Sequence, residues 1–208
     1  MCKRCVIFTY DEVLDIVQRL EVGAPLNVEP DWPARSPEAF PKSVAPLIVP
    51  RFDTAGSSFP FTPGTLGVYP LSWGFEESWK QGVVFNTRIE SALKPTWRES
   101  MEHRRCVIPV RSFFETHRDE TVPSPKTGKP IKRQYEFRVP GQDVIFIGCI
   151  WRVSSFSMVT TSANSAMTPI HDRMPLVIRR EELPLWFGPD YQQLANRAGV
   201  RLDAFPAQ

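Results

Sequence analysis

Cys2 is the residue whose position most constrains what this chain can do chemically. It follows Met1, and a small residue at position 2 is compatible with removal of an initiator methionine, which leaves a cysteine at the N-terminus. A free N-terminal cysteine carries an amine and a thiol on adjacent carbons. The amine, with an ordinary pKa of about 7.7–8.0, is partly unprotonated at neutral pH. It can condense with an aldehyde to a Schiff base, and the thiol can then close onto the imine carbon as a five-membered thiazolidine. An internal cysteine cannot do this, because its nitrogen is an amide. The competing reading of a cysteine at position 2 is an incidental thiol.

Cys2-Lys3-Arg4-Cys5 is also a C-x-x-C spacing. A zinc site needs a second pair, whereas Cys106 and Cys149 stand alone with no histidine close in sequence. A thioredoxin-like motif belongs after a strand and at the start of a helix. Neither a metal nor a cofactor is therefore expected. His171 sits in Met167-Thr168-Pro169-Ile170-His171-Asp172-Arg173-Met174-Pro175, beside a carboxylate and a guanidinium, at the entrance to an apolar strand. Both an acid–base and a structural role are open to it. Glu115 closes the apolar run Cys106–Phe114. A carboxylate there is either a partly desolvated acid–base group or a solvated strand end. Asn86-Thr87-Arg88-Ile89-Glu90 follows the apolar Val83-Val84-Phe85. If the segment is extended, Asn86, Arg88 and Glu90 share one face, with Asn86 placed to orient a reacting group and Arg88 to hold a phosphate. A solvated polar face is the alternative.

These residues need a scaffold, and the chain has the means to build one. Its 208 residues form a single expected domain, 1–208, and a chain of this size buries about 70% of its unfolded surface. The hydrophobic fraction of 42% and charged fraction of 23% are those of a globular protein. No apolar run is long enough to span a membrane, and the N-terminal apolar stretch is too short for a signal peptide, so a cytoplasmic location is expected. Four cysteines in that setting read as thiols. The net charge of +2 does not by itself establish a nucleic-acid partner. Lys126, Lys129, Lys132 and Arg133 form one basic cluster and Arg104-Arg105 a second, each a contact surface or a solvated loop.

Thr9-Tyr10-Asp11-Glu12 is a capping box, with Val13, Leu14, Val17 and Leu20 at helical spacing and Gly23 placed to end the helix. Residues 23–43, rich in Pro and polar side chains, read as a surface loop. Short β-branched and aromatic runs predict strands at 44–49, 67–73, 106–114, 135–139, 144–153, 157–161 and 176–178. Residues 96–103 read as a helix, 181–187 and 191–197 as two short ones, and 117–134 as a long connection. Strands without regular intervening helices point to an α+β fold, a mostly antiparallel, curved, barrel-like sheet with a few peripheral helices.

Together these segments resemble the SOS-response-associated peptidase (SRAP) domains, the abasic-site processing proteins. The resemblance runs from Met1-Cys2 to Glu181-Glu182-Leu183-Pro184-Leu185-Trp186, nearly the whole chain, and rests on Met1-Cys2, Trp73-Gly74, Asn86-x-Arg88-x-Glu90, Arg105-Cys106-Val107-Ile108-Pro109 to Phe113-Phe114-Glu115, and Thr160-Thr161-x-Ala163-Asn164 to His171-Asp172-Arg173-Met174-Pro175. It implies covalent capture of abasic sites in single-stranded DNA in a DNA damage response, and a thiol autopeptidase that removes its own Met1. Cys2 is then the nucleophile, Asn86 positions its amine, and Glu115 and His171 move protons. Arg4, Arg88 and Arg173 match phosphate-binding arginines, Thr160 lines the site, and Pro46 and Trp73 pack on the strand or its bases. The implied partner is single-stranded DNA bearing abasic sites, bound by a monomer without metal or membrane. The chain departs from the family pattern with Lys3 for glycine, Val110-Arg111-Ser112 for alanine-aspartate-glycine, Thr116 for tryptophan and Ser43 for asparagine. Two other classes of function fit the same residues: a non-covalent single-strand binder, and a thiol peptidase acting on other proteins through Cys2, His171 and Asn86.

Overall fold

The computed structural model describes residues 2–26, 37–51 and 59–207. In chain order, β1 (Arg4–Ile7) leads into α1 (Tyr10–Glu21), followed by β2 (Glu38–Ala39), β3 (Val44–Pro50) and β4 (Leu66–Trp73). Next come β5 (Phe75–Glu76), β6 (Val83–Val84), β7 (Asn86–Arg88) and α2 (Pro95–His103). The long β8 (Arg105–Pro123) precedes β9 (Pro130–Arg138), β10 (Ile145–Arg152) and β11 (Ser155–Ser162). β12 (Arg173–Pro175), β13 (Val177–Ile178), α3 (Leu183–Phe187) and β14 (Asp203–Pro206) complete the chain.

α1 forms where the capping box requires it. The Thr9 side chain accepts from Glu12 N, and Glu12 Oε2 accepts from Thr9 N at 2.6 Å. At the other end Ala24 N donates to Arg19 O at 2.9 Å around Gly23 at φ 70°, a Schellman closure in the left-handed region that glycine tolerates best. Val13, Ile16, Val17 and Leu20 are buried against the sheet.

Among the described residues, most strands belong to one 12-stranded sheet. Its centre closes on itself: β10 pairs β11, β11 pairs β4, β4 pairs β3, β3 pairs β8, and β8 returns to β10. Only the β11–β4 contact in this ring is parallel. The result is the mostly antiparallel, curved sheet that the sequence predicted. Strand alternation sorts the apolar residues to its two sides. Ala45, Leu47, Val49, Cys106, Ile108, Val110, Ile145, Ile147 and Cys149 join one cluster inside the barrel. Ile48, Val107, Phe146 and Ile150 join the other, under the helices.

The predicted 117–134 connection is instead a hairpin. β8 runs on to Pro123 and pairs β9, with Thr121 opposite Lys132 and Val122 opposite Ile131, after an irregularity between Thr116 and Thr121. This ribbon projects beyond the barrel and lacks a continuous buried face, so the apolar alternation that marks a strand is missing from it. Its prolines stand where the pairing ends. β1 was also missed, being four residues long with Arg4 at its start. The predicted helix at 191–197 is a 3₁₀ turn over Tyr191–Ala195, and residues 181–187 divide into a 3₁₀ turn and α3. Part of the predicted 23–43 loop lies outside the described residues; Glu38–Ala39 within it pairs β1.

Arg104-Arg105 is not a free basic pair. Arg105 is buried, and burial lowers its pKa to about 10. Its guanidinium donates to Met101 O near the end of α2 and to Trp186, Phe187 and Gly188 carbonyls at the end of α3. A cation that satisfies orphan carbonyls at two helix C-termini is a structural tie. Arg104 pairs with Glu99 at 2.6 Å.

Candidate functional site

β1 delivers Cys2 to the rim of the barrel. Arg4 lies opposite Phe114 and Cys5 opposite Phe113, so the residues before Arg4 continue toward Glu115 on β8. Cys2 is only 1% exposed, and its Sγ lies 3.7 Å from Cys5 Sγ. Asn86 reaches the same point from β7, donating Nδ2–H to Cys2 O at 2.9 Å. Asn86 Oδ1 is buried and accepts no hydrogen bond among the described residues. Glu115 is 2% exposed, and its Oε1 accepts from Thr116 N at 3.0 Å. The four thiols are all reduced and buried. Burial pushes the Cys5, Cys106 and Cys149 thiols well up, and the hydrogen bond with Cys2 adds to the effect at Cys5. Those three hold their protons at neutral pH and are poor nucleophiles.

β11 organises the opposite wall. It runs parallel to β7, placing Met158 opposite Asn86 and Thr160 opposite Arg88, and antiparallel to β12, with Ser162 opposite Arg173. Thr160 is 1% exposed and lies between the two arginine-bearing strands. Arg173 grips Glu90 with two hydrogen bonds of 2.7 and 2.8 Å and Thr160 O with a third of 2.9 Å. The hydrogen bonds from Arg173 hold the Glu90 carboxyl below its ordinary pKa. Arg88 is exposed, and no hydrogen bond or ion pair engages it among the described residues. Glu90, expected on one face with Asn86 and Arg88, lies beyond β7 in a 3₁₀ turn over Ile89–Ser91.

His171 ends the turn that follows β11. Asn164, 6% exposed, builds that turn: Oδ1 accepts from Ala166 N and Met167 N, while Nδ2 donates to Val200 O at 2.8 Å. Ile170 O in turn accepts from Arg118 N on β8 at 3.1 Å, which pins His171 to the strand that carries Glu115. His171 Nδ1 accepts from Arg173 N at 3.0 Å, and the same atom lies 3.0 Å from Asp172 Oδ1. The first contact requires a lone pair on Nδ1 and the second requires a proton there. The two contacts therefore suit the neutral ring and the imidazolium respectively. With Nδ1 accepting, the neutral ring carries its proton on Nε2.

Arg4 comes to the site already engaged. It pairs with Glu38 through hydrogen bonds of 2.6 and 3.1 Å, donates to Gln134 Oε1, and lies over the Phe114 ring at 4.0 Å. Asn164, Glu38 and Gln134 are the supporting residues that the sequence reading did not single out for a role. Only Asn164, in the Thr160–Asn164 segment, carried a signal.

Trp73 and Pro46 do not line an open groove. Trp73 is 0% exposed, stacked 6.0 Å from Phe156, with its indole N–H donated to Phe85 O at 2.8 Å. Pro46 is buried opposite Pro70 on β4. The Trp-Gly pair has a structural cause: Gly74 has φ 119°, and a Cβ there meets Val83 Cγ2 at 2.4 Å. A large aromatic beside a required glycine reads the same in sequence whether its ring faces a ligand or the core. Trp73→Ala is expected to cost about 3–5 kcal/mol of stability, measured by urea unfolding, because it empties a fully enclosed site. An unchanged midpoint counts against this placement. Trp79, in the β5–β6 connection, has the exposure that Trp73 lacks, at 60%, with Lys80 next to it over the Phe85 ring.

Among the described residues no group of three or more His, Cys, Asp or Glu is arranged to hold a metal ion. No helix among them is long and apolar enough to cross a membrane. The sequence is 26% identical over 134 residues to the abasic site processing protein YoqW of Bacillus subtilis, covering 57% of this chain and 56% of that one. It is 28% identical over 131 residues to the abasic site processing protein YedK of Escherichia coli, covering 56% of this chain and 53% of the relative. The matched stretch thus spans about half the length of these relatives. A crystal structure of a Bacteroides thetaiotaomicron protein superposes over 100% of this chain and 92% of its own, with a TM-score of 0.66 at 17% identity. A phage-related protein from Bordetella bronchiseptica does so over 100% and 94%, also at 0.66, with 19% identity. These likenesses are of fold. The sequence model of the SOS response associated peptidase (SRAP) family matches residues 1–207, and the chain belongs to that family.

Proposed function

We propose that this protein captures abasic sites in single-stranded DNA as a covalent thiazolidine at Cys2, after removing Met1 autoproteolytically. The observation that carries the proposal is the hydrogen bond from Asn86 Nδ2 to Cys2 O, which fixes the backbone of the one residue able to present an amine and a thiol together. Asn86 Oδ1, buried and without a donor among the described residues, is an acceptor for the amine that Met1 removal exposes. The amine adds to the aldehyde of the ring-opened sugar, the carbinolamine loses water, and Cys2 Sγ closes on the imine carbon. Glu115 and His171 carry the protons that ring opening and water loss require. The relatives named as abasic site processing proteins support this reading. The test is the intact mass before and after incubation with an abasic oligonucleotide. Loss of one methionine followed by a heat-stable gain of one oligonucleotide less one water is expected. A purely non-covalent shift overturns the proposal.

Arg88, Arg4 and Arg173 serve the phosphates, but not equally. Arg88 is exposed and makes no hydrogen bond or ion pair among the described residues, acting on Glu90 only through space, whereas Arg4 and Arg173 are neutralised by Glu38 and Glu90. A phosphate that meets an unpaired arginine releases its condensed counterion in full. Arg88→Ala is therefore expected to flatten the salt dependence of single-strand binding by about 0.7 per contact. Arg4→Ala and Arg173→Ala should flatten it less. Fluorescence titrations across a salt series measure this, and an unchanged slope for Arg88→Ala makes that residue structural. Trp79, 60% exposed beside Lys80, offers one aromatic surface on which a base could stack.

A further inference from the structure

Cys5 is the group in the site that the capture chemistry leaves unused. It is 0% exposed on β1, held by its register opposite Ala39 and Phe113, and its side chain belongs to the cluster inside the barrel. Cys2 lies ahead of the strand, and its Sγ has weak contacts with Arg4 O at 3.5 Å and Cys5 Sγ at 3.7 Å. A disulfide needs its sulfurs at about 2.0 Å, so the two must close the remaining gap by turning about their side-chain bonds. The other two thiols face each other across β8 and β10, with Cys149 Sγ donated to Ile147 O. They lie in the barrel wall; Cys149 is near enough to act electrostatically on Cys2 and Cys5, while it is Cys5 Sγ that touches Cys2 Sγ.

We propose that Cys2 and Cys5 form a reversible disulfide that switches the nucleophile off under oxidising conditions. The oxidant is a hydroperoxide. The Cys2 thiolate attacks the terminal peroxide oxygen, the O–O bond breaks, and Cys2 becomes a sulfenic acid with release of water or an alcohol. Cys5 sulfur then attacks Cys2 Sγ and expels the sulfenic oxygen as water, which takes the Cys5 proton. Two thiols lose two electrons and two protons, and the peroxide gains them. Burial and the hydrogen bond with Cys2 push the Cys5 thiol up, which suits Cys5 to the second step, where its sulfur meets an activated partner. The oxidised form retains its amine but has no thiol to close the ring. It can form only the Schiff base, which water reverses. That consequence rests on the function proposed above; the disulfide itself does not.

The full chain treated with hydrogen peroxide and digested with trypsin without reduction reads the bond directly. Trypsin cuts after Lys3 and Arg4, so Cys2 and Cys5 fall on separate peptides, the second running from Cys5 to Arg19. The expected product is these two peptides joined, two hydrogens lighter than their sum and separated by dithiothreitol. Unlinked peptides with Cys2 as a sulfinic acid overturn the proposal. In Cys5→Ala, capture before oxidation is expected to be unchanged, while excess peroxide carries Cys2 past the sulfenic acid to the sulfinic acid, so that the loss is no longer reversed by dithiothreitol. Reversal as complete as in the unaltered chain also overturns it. Joined peptides from a protein whose reduced form captures no abasic DNA support the disulfide and refute the capture function instead.

Discussion

Cys2→Ala is expected to eliminate the stable adduct with abasic single-stranded DNA, and Cys5→Ala to leave it intact. The two sulfurs are 3.7 Å apart, so proximity to a bound aldehyde does not distinguish them. Chemistry does: Cys5 has an amide nitrogen and cannot form a thiazolidine, whatever its position. Alanine at position 2 keeps an amine once Met1 is removed, so it retains Schiff-base formation but loses the closing step. Serine retains a hydroxyl, a poorer nucleophile, and any bond it makes should mature more slowly or hydrolyse more readily. A denaturing gel after heating separates these outcomes. A heat-stable band of unchanged intensity from Cys2→Ala is incompatible with the mechanism.

Glu115→Gln and His171→Ala should each slow crosslinking by roughly 10²–10⁴-fold, if proton transfer by that group is in the limiting step. Equilibrium DNA affinity should change little, since the phosphate contacts are assigned to Arg4, Arg88 and Arg173. The case for His171 is its Nδ1, which has a partner suited to each ring charge: the Arg173 amide when neutral, Asp172 when protonated. Glu115 is buried in the middle of β8, opposite Tyr135 on β9, with one oxygen fixed by the Thr116 amide. Single-turnover crosslinking rates, DNA binding and melting temperature must be measured on the same variants. Loss of binding in proportion to rate, or a collapsed melting temperature, makes these residues supports of the fold and removes them from the proton path.

The interplay of Arg173 with Glu90 and Thr160 shows where sequence reading stops. Arg173 and Glu90 are 83 residues apart, and their pairing exists because β11 lies between β7 and β12 with a fixed register. Arg4 finds Glu38 and Gln134 in the same way, through pairing of β1 with β2 and β8 and of β8 with β9. Trp73 illustrates the reverse difficulty. Its neighbour Gly74 was legible as special, yet only the stacked Phe156 and the Phe85 carbonyl reveal that the indole serves the core.

The sequence by itself determined what is local. The Thr9–Glu12 box set the start of α1 and Gly23 its end, because capping and a left-handed closure depend on residues within one helical turn. β-branched and aromatic runs marked the strands that are buried, and the order of short motifs identified the family. Cys2 was chosen on chemistry that needs no neighbours. The tertiary structure alone decided which groups meet it, Asn86 on its carbonyl and Cys5 against its sulfur, and hung the segment that ends in His171 from β8 by Ile170. It also decided that the ribbon from Thr116 to Gln134 pairs as a hairpin. Strand pairing across a closed barrel is a property of registers between distant segments, and no period within any one segment encodes it.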